Sequence, residues 1–358
     1  DFLALISTYN TKYQGYVKGN GDNAWAGSIA RGLENRSLKW ETTDTKNIGL
    51  DFGFFNNKLT GAMNYYYNQT EELLITKALP PSAGLNNPIL NVGKIRNSGV
   101  EVEINWADSK GGFDYNIGMN FSTTKNKVVE LADKGQVLYG EGLKYGTEHF
   151  PTQTRVGKPI GAFYLYKTNG LFQSNEEARQ YVNADGDEYQ PFADAGDIRY
   201  VDVNGDGYID DDDKVYCGSG IPTLEVNLNF SAGYKGFDLS VVLGSAWGHK
   251  IYNGNKYFYE GMNSGSNFLT SSLNAWTPQN TNTNIPRAIF NDPNGNLKES
   301  DRFIEKGDFV RLRQLQLGYT LPKKIMQKVF IERLRFYVSG ENLFTITGYD
   351  GIDPEFSR

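Results

Sequence analysis

Apolar and polar residues alternate with a period of two along much of this 358-residue chain. In the stretch FDYNIGMNFS, residues 113–122, every odd position from Phe113 to Phe121 is apolar, and the even positions carry Asp, Asn, Gly or Ser. The same alternation recurs in residues 48–54, 59–67, 99–106, 223–233, 238–247 and 334–339. A period of two is typical of a strand with one buried face, so the sequence predicts an all-β protein.

The predicted strands come in pairs, and the connections within and between the pairs differ in length. The members of each pair are joined by short turns at residues 55–58, 109–112 and 234–237, and by residues 322–333, which have room for one or two helical turns. Long polar connections follow at about residues 71–93, 130–221, 251–306 and from 347 onward. Short turns at one end and long loops at the other are the layout of an outer-membrane barrel. The expected fold is an antiparallel transmembrane β-barrel with long extracellular loops, to which this chain contributes about eight spanning strands of about ten residues each.

Strand parity places residues 160–172 (IGAFYLYKTNGLF) outside this wall. A single spanning strand there would reverse the direction of every later strand, so we expect a ribbon over the barrel mouth. An open sheet edge cannot face lipid, because its N–H and C=O groups have no partners there. The chain also opens with Asp1-Phe2-Leu3, without an initiator Met or a signal peptide. We therefore expect further strands on both flanks.

The two faces of the strands differ as a membrane wall requires. One face is apolar and aromatic, and the other carries candidates for a water-filled lumen: Glu101, Glu103, Asn116, Asn120, Asn227 and Asn229. Aromatic residues where strands meet loops suit interfacial girdles, namely Tyr65, Tyr66, Tyr67, Trp106, Trp247, Tyr252 and Tyr319. A soluble β-sandwich or propeller explains the alternation equally well. The rhythm of short and long connections favours the barrel.

Composition and charge argue against several other functions. The net charge is −6 and no basic run stands out, so nucleic acid is not an expected partner. Cys217 is the single cysteine, and His149 and His249 are expected to be ordinary surface or loop histidines. No pair of carboxylates has a spacing that indicates a glycosidase, so we do not expect an enzyme. The chain also lacks an apolar run of about 18 residues, so no transmembrane helix is predicted.

Residues 202–213 (DVNGDGYIDDDD) concentrate acidic groups whose repulsion a bound cation would relieve. The candidate metal ligands, at positions 1, 3, 5, 7, 9 and 12 of an EF-hand-type loop, are Asp202, Asn204, Asp206, the backbone carbonyl of Tyr208, Asp210 and Asp213. Gly207 stands at position 6, where such a loop turns sharply. The short flanks show no amphipathic helix, so we expect a structural Ca²⁺ clip in an extracellular loop of residues 173–221, with a solvated acidic turn as the alternative. Asp197, just upstream, could add a ligand or cap the turn, and we favour the cap. We expect residues 183–187 (NADGD) to form a plain turn.

Seven further stretches carry a family resemblance: residues 38–54 (LKWETTDTKNIGLDFGF), 91–102 (NVGKIRNSGVEV), 157–172, 196–213 (GDIRYVDVNGDGYIDDDD), 275–287 (AWTPQNTNTNIPR), 309–322 (FVRLRQLQLGYTLP) and 334–344 (LRFYVSGENLF). Together they span nearly the whole chain. In this order they resemble the C-terminal part of the SusC-like TonB-dependent transporters of the Bacteroidetes outer membrane, the RagA/SusC family. By this resemblance, residues 1–358 are expected to be the C-terminal portion of such a barrel.

The resemblance implies a barrel of about 22 strands with a plug domain in its lumen. It also implies a SusD-like surface lipoprotein that closes over the mouth, and import of oligosaccharides, or in some members peptides, powered by TonB. The plug, the TonB box, the early strands and the last strand are not in this sequence, so TonB coupling would act through the remainder of the transporter. Membrane lipid is a further expected partner.

Two functions therefore remain in view. The favoured one is TonB-dependent import across the outer membrane, with this chain forming barrel wall and outer loops. The alternative is a secreted, calcium-stabilised, β-rich module that binds carbohydrate. The loop aromatics Tyr257, Phe258, Tyr259 and Trp276 could stack on sugar rings, pack the loop or contact the lid protein, and the sequence leaves this choice open.

Overall fold

The structure is a computed structural model that describes residues 35–76, 86–140, 142–145, 147–263, 267–327 and 330–355, together with four short strands between residues 9 and 30. In chain order the strands are β1 (Tyr9–Asn10), β2 (Gly15–Val17), β3 (Ala24–Ala26), β4 (Ile29–Ala30), β5 (Thr42–Phe54), β6 (Leu59–Thr76), β7 (Ile89–Lys110), β8 (Phe113–Thr123), β9 (Lys125–Glu130), β10 (Leu138–Tyr139), β11 (Leu143–Tyr145), β12 (Thr147–His149), β13 (Thr152–Thr154), β14 (Ala162–Leu165), β15 (Thr168–Leu171), β16 (Ile198–Tyr200), β17 (Val215–Gly218), β18 (Leu224–Tyr234), β19 (Phe237–Trp247), β20 (Lys250–Tyr252), β21 (Ile304–Lys306), β22 (Phe309–Thr320) and β23 (Arg335–Thr347). The helices are α1 (Asn175–Gln180), α2 (Gly254–Tyr259) and α3 (Lys323–Met326). None of the described helices is long and apolar enough to cross a membrane.

Eight long strands form one antiparallel wall in the order β23-β22-β19-β18-β8-β7-β6-β5. β9 continues the line of β8 and pairs with the loop-side part of β7. The predicted strand pairs are confirmed. β6 and β7 reach farther than predicted, however, so their connection is residues 77–88 rather than 71–93. The extra length comes from polar and apolar residues that pair across the two strands beyond register shifts near Leu73.

The short turns follow from backbone conformations that few residues adopt. Gly111 and Gly112 have φ of 64° and 78°, and Lys235 and Gly236 have φ of 49° and 91°. Two-residue hairpin turns of type I′ need positive φ at both central positions, which glycine supplies without steric cost. The connection between β22 and β23 contains the single helical turn α3 that its length allows.

The register places mostly apolar residues in one row across the eight strands and mostly polar or small residues in the next. One row reads Leu50, Met63, Val102, Phe121, Val226, Ser245, Val310 and Ile346, and the neighbouring row reads Asp51, Ala62, Glu103, Asn120, Asn227, Gly244, Arg311 and Thr345. Directly paired residues share a face and successive residues alternate, so the first row belongs to an apolar face and the second to a polar face. A slip of one residue would exchange the two faces, so this pattern fixes the register.

The aromatic residues predicted for girdles divide between locations. Tyr65 and Tyr67 share the apolar face, whereas Tyr66 turns to the polar face and donates its hydroxyl to the Thr123 carbonyl oxygen at 3.1 Å. Tyr252 lies in β20, outside the wall, so its assignment to a girdle was wrong. The alternation of side chains within a strand separates three consecutive tyrosines onto two faces.

The second part of the molecule is a loop unit, made of the described residues of 131–223 and 248–308 that connect β9 to β18 and β19 to β22. Residues 160–172 lie here rather than in the wall, as predicted, because β14 joins a small sheet in the order β10-β13-β14-β17 and β15 pairs with β16. Three clusters of buried hydrophobic residues lie in this unit, the largest formed by Tyr166, Leu171, Ile198, Tyr200 and Trp276. The loop unit is therefore a packed body with its own core.

Candidate functional site

The polar face gathers most of the predicted lumen residues into one recess. Glu101, Glu103, Asn120 and Asn227 line a depression of about 260 Å³ together with Glu225, from adjacent strands β7, β8 and β18. The paired register brings them together, since Glu103 lies opposite Asn120, and Asn120 lies opposite Asn227. This recess carries acidic and amide groups, which can solvate water or hydrogen-bond a polar ligand.

The other two predicted lumen residues lie farther toward the short turns. Asn116 lines a different recess, of about 830 Å³, with Lys58, Asp108 and Asp238. Asn229 is paired with Gly118 and Val242 in the wall. The polar face therefore has two polar regions along its length rather than one continuous site.

Two arginines on the polar face bind the segment that follows β23. Arg311 donates to Glu355 Oε2 at 2.7 Å and to Asp353, and Arg313 donates to Glu355 Oε1 at 2.7 Å. A recess of about 810 Å³ lies between the wall and the loop unit, and its lining includes Glu355, Arg313, Pro354 and His249. Sequence reasoning missed this contact. One indication of this contact was present in the sequence: Arg311 occupies a polar-face position of β22, and the acidic residues Asp353 and Glu355 follow the next strand.

The two long connections of the loop unit are joined by buried ion pairs. Asp197 is completely buried and accepts hydrogen bonds from the Arg287 guanidinium and from Asn296 Nδ2. It also caps a turn, as predicted, by accepting the Asp194 N–H at 2.9 Å. The cap was foreseen, and the partner 90 residues away was not.

Glu299 forms a second junction of the same kind. Its carboxylate lies 2.6 Å from His149 Nδ1 and 2.7 Å from Lys214 Nζ. Burial by itself would raise the pKa of Glu299, but the hydrogen bonds from His149 and Lys214 outweigh it and lower the pKa to about 2. The carboxylate therefore stays ionised inside the loop unit.

Both histidines lie in the loop unit, His149 at the end of β12 and His249 between β19 and β20, but neither is an ordinary surface residue. His149 is bound to Glu299. His249 is buried against the ring of Phe309, and its Nδ1 has no hydrogen-bond partner among the residues that the structure describes. Of the two predicted locations, surface or loop, the long connections hold both residues, but tertiary packing covers both rings.

The loop aromatics mostly pack the loop unit. Tyr257 is completely buried with Leu297 and Phe303, and Trp276 is only 7% exposed beside Tyr200. Tyr259, by contrast, is 48% exposed. Of the three roles that the sequence left open, packing is the one that Tyr257 and Trp276 fulfil, and a sugar could stack only on a ring it can reach.

The acidic loop is closed by its first and last residues. Asp202 accepts the N–H groups of Gly205 at 2.6 Å and Gly207 at 2.9 Å. Burial opposes ionisation of Asp202, but these two N–H donors keep its pKa below the usual value. Asp213 is completely buried and accepts the N–H groups of Val203 at 2.7 Å and Asp210 at 2.9 Å. Gly207, with φ of 92°, makes the sharp turn predicted for position 6.

The middle positions of the loop make local turns. The side-chain oxygens of Asn204, Asp206 and Asp210 each accept the N–H two residues ahead, at 2.9 to 3.0 Å. Tyr208 is 66% exposed, so its ring takes no part in the loop and only its carbonyl remains a candidate ligand. The neighbouring 183–187 segment is the plain turn that was predicted, and Asn183 donates to the Gly207 carbonyl at 3.1 Å.

These contacts can be compared with what a cation would need. Among the described residues, no three or more His, Cys, Asp or Glu side chains are grouped so that they could hold a metal ion. Each carboxylate oxygen has two lone pairs, however, and an oxygen with one N–H donor keeps the second available. Asp213 Oδ1 accepts from both Val203 and Asn204, so Oδ2 is the oxygen through which Asp213 could bind a cation. The donor set is all oxygen, the kind that Ca²⁺ takes. The residues fit a hard cation chemically, and Ca²⁺ here stays a prediction.

Comparison with known proteins decides the family. A profile described as "TonB dependent receptor-like, beta-barrel" matches residues 4–343. The chain belongs to this family. The antiparallel wall with one apolar face is accordingly part of the β-barrel of a TonB-dependent receptor, a family of outer-membrane proteins, as the sequence predicted.

Curated relatives of this receptor barrel are longer proteins. TonB-dependent receptor P3 of Formosa agariphila is 32% identical over 354 residues, which are 98% of this chain and 34% of that protein. TonB-dependent receptor SusC of Bacteroides thetaiotaomicron is 27% identical over 367 residues, which are 99% of this chain and 33% of that protein. The chain thus spans about one third of the length of the curated relatives it matches.

Solved structures share the fold of this receptor barrel. The RagAB peptide importer in its closed-closed state superposes with a TM-score of 0.73 at 23% identity, over 98% of this chain and 36% of that chain. A second structure, of the RagAB peptide transporter, gives a TM-score of 0.71 at 24% identity. Both likenesses cover the wall and the loop unit together.

Proposed function

We propose that this receptor barrel imports oligosaccharides or peptides across the outer membrane, with a SusD-like surface lipoprotein as partner and TonB as the energy source. In this proposal the present chain contributes barrel wall and outer loops, and the plug and the contact with TonB belong to the remainder of the transporter. The main support for this proposal is the strand register, which places Glu103, Asn120 and Asn227 in one polar row beside an apolar row. A wall with one apolar face and one polar face suits a barrel whose interior passes polar solutes.

The same layout supports an orientation. The short turns would face the periplasm, and the loop unit would face the outside, where long loops of outer-membrane barrels lie. An outward loop unit with its own buried core offers a lipoprotein a firm surface. The alternative of a secreted carbohydrate-binding module is disfavoured, because the apolar face of eight strands would then need a cover other than lipid.

The direct test uses the full-length receptor in its native membrane. We expect a chain much heavier than 40.1 kDa that requires detergent and travels with a surface lipoprotein. Calorimetric titration of that complex with defined oligosaccharides and with peptides of similar size then decides the substrate class. A species that stays soluble without detergent and has no partner would overturn the proposal.

We propose in addition that the acidic loop binds a structural Ca²⁺ through Asp202, Asn204, Asp206, the Tyr208 carbonyl, Asp210 and Asp213. The support is the spacing of the oxygen donors and the closed loop in which Asp202 and Asp213 occupy the two ends. An extracellular site tolerates modest affinity, since extracellular modules bind Ca²⁺ at about 10⁻⁴ to 10⁻³ M. The short side chain of Asp213 at position 12 argues for the weak end of that range.

Calcium titration of the full-length receptor tests this second proposal. We expect Ca²⁺ to raise the midpoint of thermal unfolding and EDTA to reverse the increase. Replacing Asp202 and Asp206 together with Asn should abolish the response. The matched control replaces Asp185 and Asp187 with Asn, since both lie exposed in the adjacent turn. A wild-type receptor that ignores Ca²⁺ would leave the loop as an acidic turn held by backbone N–H groups.

A further inference from the structure

Beyond the apolar face, on the same side of the wall, lies a basic patch formed by Lys46, Arg96, Lys125 and Lys127. We propose that this patch binds the phosphorylated sugar headgroup of a glycolipid in the surrounding membrane. The inference rests on the proposed function, because it requires the apolar face to contact lipid. It concerns a side of the barrel that takes no part in passing a substrate.

The register places these four residues on the lipid side. Tyr65 pairs with Val100 on the apolar face. Two positions farther along the strands, Lys46 pairs with Tyr67, Tyr67 with Ser98, and Ser98 with Lys125. One more step along, Arg96 pairs with Lys127. Residues two apart on a strand share a face, so the cations continue the apolar face toward the loop unit.

Tyr67 lies at the centre of the patch, and two of the four cations contact its ring. The Arg96 guanidinium lies 5.1 Å from the centre of the Tyr67 ring, and Lys46 Nζ lies 5.8 Å from it. The ring therefore holds two positive groups next to each other, although like charges repel. Such an arrangement gains stability when an anion lies between the cations.

Acidic residues do not neutralise the patch. Lys46 has one carboxylate neighbour, Asp44, at 3.4 Å, and both side chains are largely exposed. Arg96 donates one N–H to Gln69 Oε1, and its Nε is buried without a hydrogen-bond partner in the described part of the chain. Within the part of the chain that the structure describes, Lys125 and Lys127 are exposed and form no ion pair. Four cations and one carboxylate leave a net charge of about +3 at neutral pH.

The charge is local rather than general. On the next step of β6 and β7, Lys94 lies 3.0 Å from Glu71 and is also paired with Glu130, so this step adds no positive charge to the patch. On the other half of the wall, the apolar face of β18 and β19 ends toward the loop unit in Leu224 and Trp247. The excess of positive charge is thus confined to the corner formed by β5, β6, β7 and β9.

A groove beside the patch gives the ligand its shape. It measures about 610 Å³, and Lys125 belongs to both the patch and the groove. Its wall also includes Tyr65, Tyr216 and Lys250, and Lys158 Nζ lies 4.5 Å from the centre of the Tyr216 ring. Aromatic rings next to cations suit a sugar that bears phosphate. Basic residues next to the apolar band of a membrane protein attract anionic headgroups.

The experiment reconstitutes the full-length receptor in phosphatidylcholine nanodiscs and titrates fluorescently labelled diphosphoryl lipid A. The test variant is Lys125→Ala with Lys127→Ala, chosen because both side chains are exposed and form no ion pair with the described residues. The control is Lys323→Ala with Lys324→Ala, a pair of exposed lysines at the opposite end of the wall. Each cation near the surface contributes a factor of about five, so the test variant should bind about 25-fold more weakly and the control should bind like wild type.

A second titration uses dephosphorylated lipid A. We expect its affinity for the wild-type receptor to be as low as the affinity of diphosphoryl lipid A for the test variant. Equal binding of lipid A to wild type and test variant would overturn the inference. Equal binding of the two lipids to wild type would overturn it as well. If the receptor reconstitutes normally but does not bind lipid A, only the proposed lipid binding is disproved. If the receptor does not enter the bilayer, the proposed function is disproved as well.

Discussion

Arg287 holds Asp197 through two contacts, Nε to Oδ1 and Nη2 to Oδ2, each 2.9 Å long. Asp197 precedes β16 in the first long connection, and Arg287 lies in the second, between β19 and β22. The pair joins two segments that are 90 residues apart in sequence. Together with the Lys214–Glu299 pair, it ties the two connections into one body.

Replacing Arg287 with Ala should loosen the loop unit. The completely buried carboxylate of Asp197 would lose its charged partner, and breaking a buried pair in this way costs about 3–5 kcal/mol. We expect a lower midpoint of thermal unfolding and faster chymotrypsin cleavage within residues 131–223 and 248–308 of the full-length receptor.

Arg179 supplies the matched control for that variant. It contacts Glu188 at 3.1 Å and Asp194 at 2.9 Å, but its side chain is 44% exposed. Exposed pairs contribute about 1 kcal/mol or less, so Arg179→Ala should leave cleavage nearly unchanged. Equal effects of the two variants would show that Asp197 does not need its partner.

The lowered pKa of Glu299 predicts that the folded receptor loses stability in acid. Its pKa falls from the usual 4.5 to about 2 on folding. A carboxyl with a lowered folded-state pKa contributes stability above its unfolded pKa, and that contribution disappears as the pH falls from about 4.5 to about 2. The amount is on the order of 3 kcal/mol. Unfolding of the receptor in urea, measured across this pH range, gives the curve.

The variant Glu299→Gln isolates this contribution. It should be less stable than wild type at pH 7, because Lys214 and His149 lose a charged acceptor. It should also show a flatter dependence on pH between about 4.5 and 2. A variant with the wild-type slope would mean that other carboxyl groups cause the acid sensitivity.

Gly99 marks a place where two backbones approach closely. An added Cβ would collide with the carbonyl oxygen of Thr123, where β8 gives way to β9 along β7. Gly99→Ala should therefore destabilise the barrel by about 1–3 kcal/mol, measured as the temperature at which folded barrel is lost in detergent. Gly118→Ala is the control, since its Cβ would meet nothing nearer than Asn105 Oδ1 at 3.5 Å. Tolerance of both substitutions would contradict the close approach.

Charge placed on the two faces should have unequal effects. Ile104 lies on the apolar face opposite Met119, and the next residue, Asn105, lies on the polar face opposite Gly118. Arginine on a lipid face near the bilayer centre costs about 2–4 kcal/mol. We expect Ile104→Arg to reduce the yield and stability of the folded receptor in membranes, and Asn105→Arg to have little effect. Similar losses for both would argue against a lipid face.

The strands and turns of the wall could be predicted because each is specified by residues that are neighbours in sequence. Alternation in 113–122 sets the faces of β8, and the pair Gly111-Gly112 specifies its turn. The acidic loop was located for the same reason, since its residues are neighbours in sequence.

The loop unit could not be predicted in the same way. No spacing indicates that Asp197 will meet Arg287, or that His149 will meet Glu299 from 150 residues away. Tyr257 and Tyr259 are alike in sequence, and only the packing of Leu297 and Phe303 decides which one is buried. Such contacts depend on how two long connections fold against each other.

The central claim is that the polar row lines the lumen and the apolar row faces lipid, and two adjacent residues of β18 test it most directly. Asn227 belongs to the polar row, and Leu228 lies on the apolar face opposite Met119. Single cysteines at these two positions, in a full-length receptor with Cys217→Ser, would be treated with a water-soluble maleimide in native outer membranes. The account predicts rapid labelling at 227 and little at 228. Labelling at 228 with protection at 227 would contradict it.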